Sequence, residues 1–376
     1  MSDASPPNRS ALVLSGGGAR TAYHAGVLRY LAEAFPEKTP KVVTGVGMGG
    51  VNAALWAAAE RQDDAVAQLV RFWDAMEAGD VFEARSLWDL IAQIMHHTPS
   101  ENQSLLDLAP LRRRLSALLS PAADDTLPGI ADALAAGRLQ ALALTTSRYA
   151  TQQTVTWTQT APGCPPMDGW VHDRRRAVEA KLTMDHVVAS AALALLFPAV
   201  RIGTAWHGAG VGMLHPLAPA LRLGARRLLV VSTRPESTAS SAPAEPKEGD
   251  PYPSPLQIAS LLSNTLLLDA PEQDARTADR IDDLLQRLPA GERPLDPADV
   301  LVLRPSTDLT ALANDLDVDV DAQLGTTLRY LHAEETALPD LLSVLLYAPD
   351  FVRRCLLLGY ADAERQHDRI EELVAS

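Results

Sequence analysis

Residues 11–15 form a short apolar run that ends on Gly16-Gly17-Gly18. That pattern predicts a buried strand running into a glycine loop. From Arg20 to residue 35 the apolar positions Ala22, Ala25, Val27, Leu28 and Leu31 keep a helical spacing. Residues 41–45 predict a second strand, which turns sharply into a second helix near residues 48–60. Strand, loop, helix, strand, turn, helix is the opening of a parallel α/β sheet.

Further on, residues 62–137 read as mostly helical, with 105–119 the clearest stretch. Two strands follow at 139–147 and 151–159. The second alternates Thr154, Thr156 and Thr158 with Val155 and Trp157, so one of its faces is expected to be wet. Residues 185–195 predict a helix, and 199–202 and 227–232 predict strands. Residues 235–255 are rich in Pro, Ser, Ala and Glu and read as a flexible loop. Beyond it, 256–288 is helical, 300–304 is a strand, and the tail to Ser376 is several helices. No internal repeat is present.

Residues 1–10 are polar, with two prolines, and read as disordered. They lack the charged segment and apolar stretch of a signal peptide. The longest apolar run, 187–200, contains Pro198 and is too short to span a bilayer; it reads as a buried helix running into a strand. The chain has 376 residues, 47% of them hydrophobic, which suffices for one large domain or one domain with an appendage.

Charge narrows the partners. The net charge of −14 opposes nucleic-acid binding. It also opposes an anionic membrane unless a local basic face overcomes the mean. Two basic triplets stand out. Arg112-Arg113-Arg114 falls on a helix and reads as a solvated face. Arg174-Arg175-Arg176 follows Trp170 and His172 in an expected loop, where lipid head groups or an acidic partner are alternatives to simple solubility. The two cysteines, Cys164 and Cys355, make neither a disulfide framework nor a zinc site. A reducing cytoplasm fits them best. The adjacent pair His96-His97 faces two directions on a helix and is a poor metal site.

The glycine loop, Gly16-Gly17-Gly18-Ala19-Arg20, follows a strand and opens a helix. Its N–H groups can face a phosphate, a carboxylate or the oxyanion of an acyl-transfer intermediate. A dinucleotide fingerprint lacks its third glycine here, because Thr21 stands in that place, and there is no Gly-Lys-Ser/Thr for a nucleotide phosphate loop. The oxyanion reading is the one that remains beside a plain tight turn. The second strand ends in Gly45-Val46-Gly47-Met48-Gly49-Gly50. This is the frame of a G-x-S-x-G nucleophile elbow, between strand and helix, with Gly47 where serine belongs.

Residues 12–20, the stretch 45–49 and Val51-Asn52-Ala53-Ala54 together resemble the patatin-like phospholipases. The resemblance implies a three-layer α/β fold with a mostly parallel central sheet and extra C-terminal helices. It implies a patatin-like domain over 11–234, with a mostly helical extension over 256–376 packed on it. It also implies that Gly16, Gly17, Gly18, Ala19 and Arg20 form the oxyanion or ligand-binding loop, with Gly45 and Gly49 as elbow glycines. Such proteins use an aspartate in a D-G-G or D-G-A motif as base and no histidine. Residues 185–190, 196–200 and 216–225 resemble the stretches flanking that aspartate. Counting back from Pro216 puts its slot at Gly208, and counting forward from Ile202 allows Ala209. No Asp or Glu occurs between Asp185 and Glu236. Further stretches, Ser104-Leu105-Leu106-Asp107, Tyr252-Pro253-Ser254, Arg304-Pro305-Ser306 and Leu358-Gly359-Tyr360-Ala361-Asp362, are similar to a bacterial subgroup.

A hydroxyl nucleophile and its base act as a unit, and here both slots carry no reactive group. Ser15 and Thr44 near the elbow, and His207 and His215 beside the aspartate slot, are more readily structural than replacements. The expectation is a pseudoenzyme that binds a lipid, a fatty-acyl ligand or a protein partner, with no metal or cofactor. The alternatives are residual lipid acyl hydrolysis, an inactivated variant of an active hydrolase, and an interaction scaffold. The expected location is the bacterial cytoplasm, with weak contact at the inner membrane surface at most.

Overall fold

The computed structural model describes residues 9–36, 38–74, 76–84, 104, 106–165, 167, 169–172, 174–194, 196–210, 216–235, 277, 298–316 and 343–375. The loop expected after 235, the helix expected at 256–288, His96-His97 and His215 fall outside them, apart from Pro235 and Thr277.

Strand β1 (Arg9–Leu14) leads through a one-turn 3-10 helix into α1 (Ala22–Ala34), then β2 (Val42–Val46), α2 (Met48–Ala58) and α3 (Gln62–Trp73). After the helices α4 (Ala109–Leu119) and α5 (Pro128–Ala135) come β3 (Ala141–Arg148), β4 (Gln153–Thr160), β5 (Val171–His172) and β6 (Arg175–Glu179). Helix α6 (Met184–Ala191) precedes a hairpin of β7 (Val200–Ile202) and β8 (Ala205–Ala209). Then come β9 (Ala225–Val231), β10 (Asp299–Leu303), α7 (Pro349–Arg365) and α8 (His367–Ala375).

The strands form one mixed sheet in the order β10-β9-β1-β2-β3-β4-β6-β5, with β8 pairing β3 and β7. From β10 to β3 every neighbour is parallel. Because β10 joins this sheet, it draws on residues from both sides of position 235.

These inner strands are buried on both faces, which is why they read as continuous apolar runs. Leu12, Leu14, Val43, Leu144, Leu229 and Val231 meet the large helical layer. Ala11, Val13, Val42, Ala143, Leu228 and Val230 meet a thinner cover of Leu217, Ala220, Leu223 and Met167. The C-terminal helix is part of the thick layer. A side chain at Gly26 of α1 would lie 1.9 Å from the Leu356 carbonyl oxygen of α7, and one at Gly359 would lie 2.1 Å from that of Tyr23. The two backbones touch because both contact positions lack a Cβ. The Tyr23 hydroxyl donates to Asp362 at 3.1 Å across the same contact.

Several expectations change. Thr154, Thr156 and Thr158 are buried, at 6%, 2% and 0% exposure, so the expected wet face of β4 is dry. The strand lies between β3 and β6, and its hydroxyls find partners there: Thr158 donates to Glu179 Oε2 at 2.8 Å. The Arg112 to Arg114 triplet is a partly solvated face on which every arginine is paired. Arg112 pairs with Asp125 and Asp185, Arg113 with Glu83, and Arg114 with Asp80. Of the second triplet, expected in a loop, Arg175 and Arg176 open strand β6.

Candidate active site

Gly47 caps the N-terminus of α2 with φ 62° and ψ −142°. This is a left-handed conformation that a side chain adopts only under strain, of about 1–3 kcal/mol. The tight turn depends on its neighbours. A Cβ at Gly49 would lie 2.1 Å from the Ser15 carbonyl oxygen, and one at Gly45 would lie 2.6 Å from that of Gly49. So β2 and α2 can meet at this angle only with glycine on both sides. The Gly47 carbonyl accepts from the Gly50 N–H at 3.0 Å and from Ser190 Oγ at 3.1 Å.

The glycine loop faces this turn. A Cβ built on Gly47 would stand 3.2 Å from Gly16 Cα, so any side chain there would point at the loop. Thr233 Oγ1 donates to the Gly16 carbonyl at 2.8 Å, and Val344 packs on Gly18. Among the described residues no backbone carbonyl takes the N–H of Gly17, Gly18 or Ala19. Arg20 is turned away. Its guanidinium is buried and donates to Ser343 Oγ at 2.6 Å and Thr310 Oγ1 at 2.8 Å, tying the loop to the C-terminal part of the chain. Asn52 fixes the two motifs to each other, with Nδ2 donating to the Thr21 carbonyl and Oδ1 accepting from Trp73 Nε1, both at 2.9 Å.

Positions 208 and 209 come to the same place through the sheet. Val46 stands opposite Thr145 of β3, and Ala209 stands opposite Thr146, the next residue on that strand. The end of β2 and the end of β8 therefore lie end to end, though some 160 residues separate them. At Gly208 a Cβ would lie 2.2 Å from the Tyr149 hydroxyl. The phenol occupies the volume that a side chain at 208 needs.

His207 belongs to a strand and not to the loop expected for it. It is buried, its Nδ1 lies 3.0 Å from Thr146 Oγ1, and that hydroxyl accepts from Trp157 Nε1 at 2.9 Å. Burial first, and the nearby Arg148 charge second, push its pKa down to about 4. Trp157 also meets His186 edge-on at 4.6 Å, and burial lowers His186 to about 4 as well. Both rings are neutral at physiological pH. Ser15 is spent locally, its Oγ donating to the Gly16 carbonyl. Thr44 is buried.

Sequence reasoning missed Tyr149, Thr146 and Ser190 as cleft residues. Tyr149 and Thr146 matter because β8 pairs antiparallel with β3, and no local pattern announces that pairing. Among the described residues no cluster of His, Cys, Asp or Glu could hold a metal ion. A cavity of about 570 Å³ lies at the opposite end of the sheet, lined by Lys41, Trp56, Arg61 and Arg138.

The sequence model for "Patatin-like phospholipase" matches residues 12–220, more than half of the chain. The chain belongs to the patatin-like phospholipase family. Its mixed α/β fold with a mostly parallel central sheet is of the patatin-like kind. Curated protein sequences give no match to this patatin-like chain. Among solved structures it is similar to human GIVD cytosolic phospholipase A2, described in complex with methyl gamma-linolenyl fluorophosphonate. Identity there is 14%, the TM-score is 0.47, and the match covers 98% of this chain and 59% of that one. It is also similar to VipD from Legionella pneumophila, at 12% identity and a TM-score of 0.38, covering 97% of this chain and 68% of that one. The chain thus spans about 59% of the length of the phospholipase A2 it matches. Among the described residues no helix is long and apolar enough to cross a membrane.

Proposed function

We propose that this patatin-like protein is a pseudoenzyme that holds a lipid acyl group, or a protein partner, without cleaving it. The observation that carries the reading is Gly47, which stands in nucleophile-elbow geometry against the glycine loop with no side chain. An acyl transfer there has no attacking oxygen and, at positions 208 and 209, no carboxylate to accept its proton. The glycine loop keeps N–H groups that suit an ester carbonyl or a carboxylate. In this reading Gly16, Gly17, Gly18 and Ala19 are the ligand-facing residues, while Arg20 supports the loop through Ser343 and Thr310. The acyl class of ligand rests on the family match over residues 12–220. The working location is the bacterial cytoplasm, at or near the inner membrane.

The test combines a fluorophosphonate probe, a short-chain nitrophenyl ester, and native mass spectrometry with added fatty acid. The reading expects no labelling, no turnover and a bound fatty acid. Turnover traced to a side chain beside the glycine loop would make the protein a hydrolase. A cleft indifferent to fatty acids would make it a scaffold.

A further inference from the structure

Three hairpin turns meet at one end of the sheet. They join β3 to β4 at residues 149–152, His172 of β5 to its partner Arg175 of β6, and β7 to β8 at 203–204. The strand registers set them side by side. Arg148 stands opposite both His207 and Gln153, Thr154 opposite Arg175, and Trp206 opposite Arg201. The Tyr149 N–H donates to the Trp206 carbonyl at 3.1 Å, and the Thr154 N–H to that of Arg174 at 2.7 Å. Because β3 runs parallel to β2, this is the end to which β1 and β2 run, the end that carries the glycine loop and Gly47.

The rim is basic. Arg148, Arg174, Arg175, Arg176 and Arg201 lie on it, and Arg174, Arg176 and Arg201 are exposed. Among the described residues none of these five has an acidic partner, whereas all of Arg112, Arg113 and Arg114 do. Residues 139–234 carry ten Lys and Arg against four Asp and Glu, in a chain whose net charge is −14. The rim also exposes apolar surface: Tyr149 is 41% exposed and Val171 is 62% exposed.

We infer that this rim docks the protein on an anionic lipid bilayer, with the cleft end facing the lipid. Guanidinium groups donate to lipid phosphates, and a phenol ring and an aliphatic side chain enter the head-group region. The negative remainder of the molecule is repelled by the same surface, so approach is rim-first. A soluble polyanion would use the arginines but have no use for Tyr149 and Val171, which favours a bilayer. The inference stands on charge and exposure and does not require an acyl ligand in the cleft.

The test is sedimentation of the full chain with phosphatidylcholine vesicles, with and without phosphatidylglycerol. Binding is expected only with phosphatidylglycerol, and it should weaken with added salt. The triple variant R174E/R176E/R201E should lose about a hundredfold or more of the partitioning. K41E/R138E, at exposed positions of the opposite end of the sheet, should bind like the parent. Val171→Ser should bind more weakly although no charge is changed. Melting curves establish that each variant folds. Absence of binding to anionic vesicles overturns the inference, as does equal loss in K41E/R138E. Polyglutamate binding as tight as vesicle binding, with Val171→Ser unchanged, would assign the rim to an acidic protein instead and equally overturn it.

Discussion

The two halves of the cleft are both glycine, for opposite reasons. At Gly47 the backbone is in a conformation that side chains resist, with φ 62°, yet the nearest atom to a Cβ is 3.2 Å away. At Gly208 φ lies outside the left-handed range, but the Tyr149 hydroxyl would sit 2.2 Å from a Cβ. The elbow has space but a strained path. The opposite half has an ordinary path and a space filled by an aromatic ring. A side chain at 47 would therefore cost backbone strain, whereas one at 208 would have to displace the Tyr149 phenol, so the two positions do not accept a side chain equally.

The largest effect expected from breaking this comparison lies next to the elbow. Gly49→Ala would place a Cβ 2.1 Å from the Ser15 carbonyl and 2.6 Å from that of Leu14, both rigid backbone atoms. It should destabilise by about 3 kcal/mol or more, read as a shift in urea midpoint. A tolerated alanine would mean that the close turn is not what holds α2 against β1.

Gly208→Asp comes next. The clash is with the far end of a side chain, so a cost of about 1–3 kcal/mol is expected, and it should shrink when Tyr149→Ala is added. A double-mutant cycle measures that coupling. Additive effects would remove Tyr149 from the account of position 208.

Acid tests the buried histidines, two of them against Trp157. Burial lowers His207 and His186 to about 4 and His24 to about 3, from an ordinary value of 6.5. A lowered histidine stays neutral in the fold while the unfolded chain takes up the proton. The contribution is thus fully present above about pH 6.5 and is lost as pH falls towards 4. Each histidine gives a slope of at most about 1.4 kcal/mol per pH unit. Melting temperature against pH should show the fall, and His207→Gln should flatten it. An unchanged slope would place His207 in water.

Gly47→Ser, free of a clash like those at 49 and 208, is expected to cost only the backbone strain of about 1–3 kcal/mol, and to restore no esterase activity by itself. Turnover from that single change, with nothing altered near 208, would show that a base survives elsewhere in the cleft.

Much of this was readable from the chain. The order of β1, α1, β2 and α2 follows from apolar spacing and glycine punctuation, because a strand buried on both faces and a helix buried on one leave different local patterns. The identity of residue 47 is a fact of sequence, and so is the lack of any acid between Asp185 and Glu236. The family follows from the same motifs. Misjudged positions share one cause. Thr154, Thr156 and Thr158 alternate as a wet strand does, but side chains on the same face of the neighbouring strands meet them, Thr145 at Thr156 and Glu179 at Thr158. His207 has the surroundings of a loop residue in sequence, but β8 pairs it with Arg148. The two arginine triplets look alike as strings. One finds Asp125, Asp185, Glu83 and Asp80, and the other reaches the rim with no acid among the described residues. Periodicity and turn chemistry act over a few residues, so sequence determined the elements and what stands at position 47. Which side chains meet across strands about 60 residues apart is set by pairing and register, and only the tertiary structure decided that Tyr149 fills the place beside Gly208.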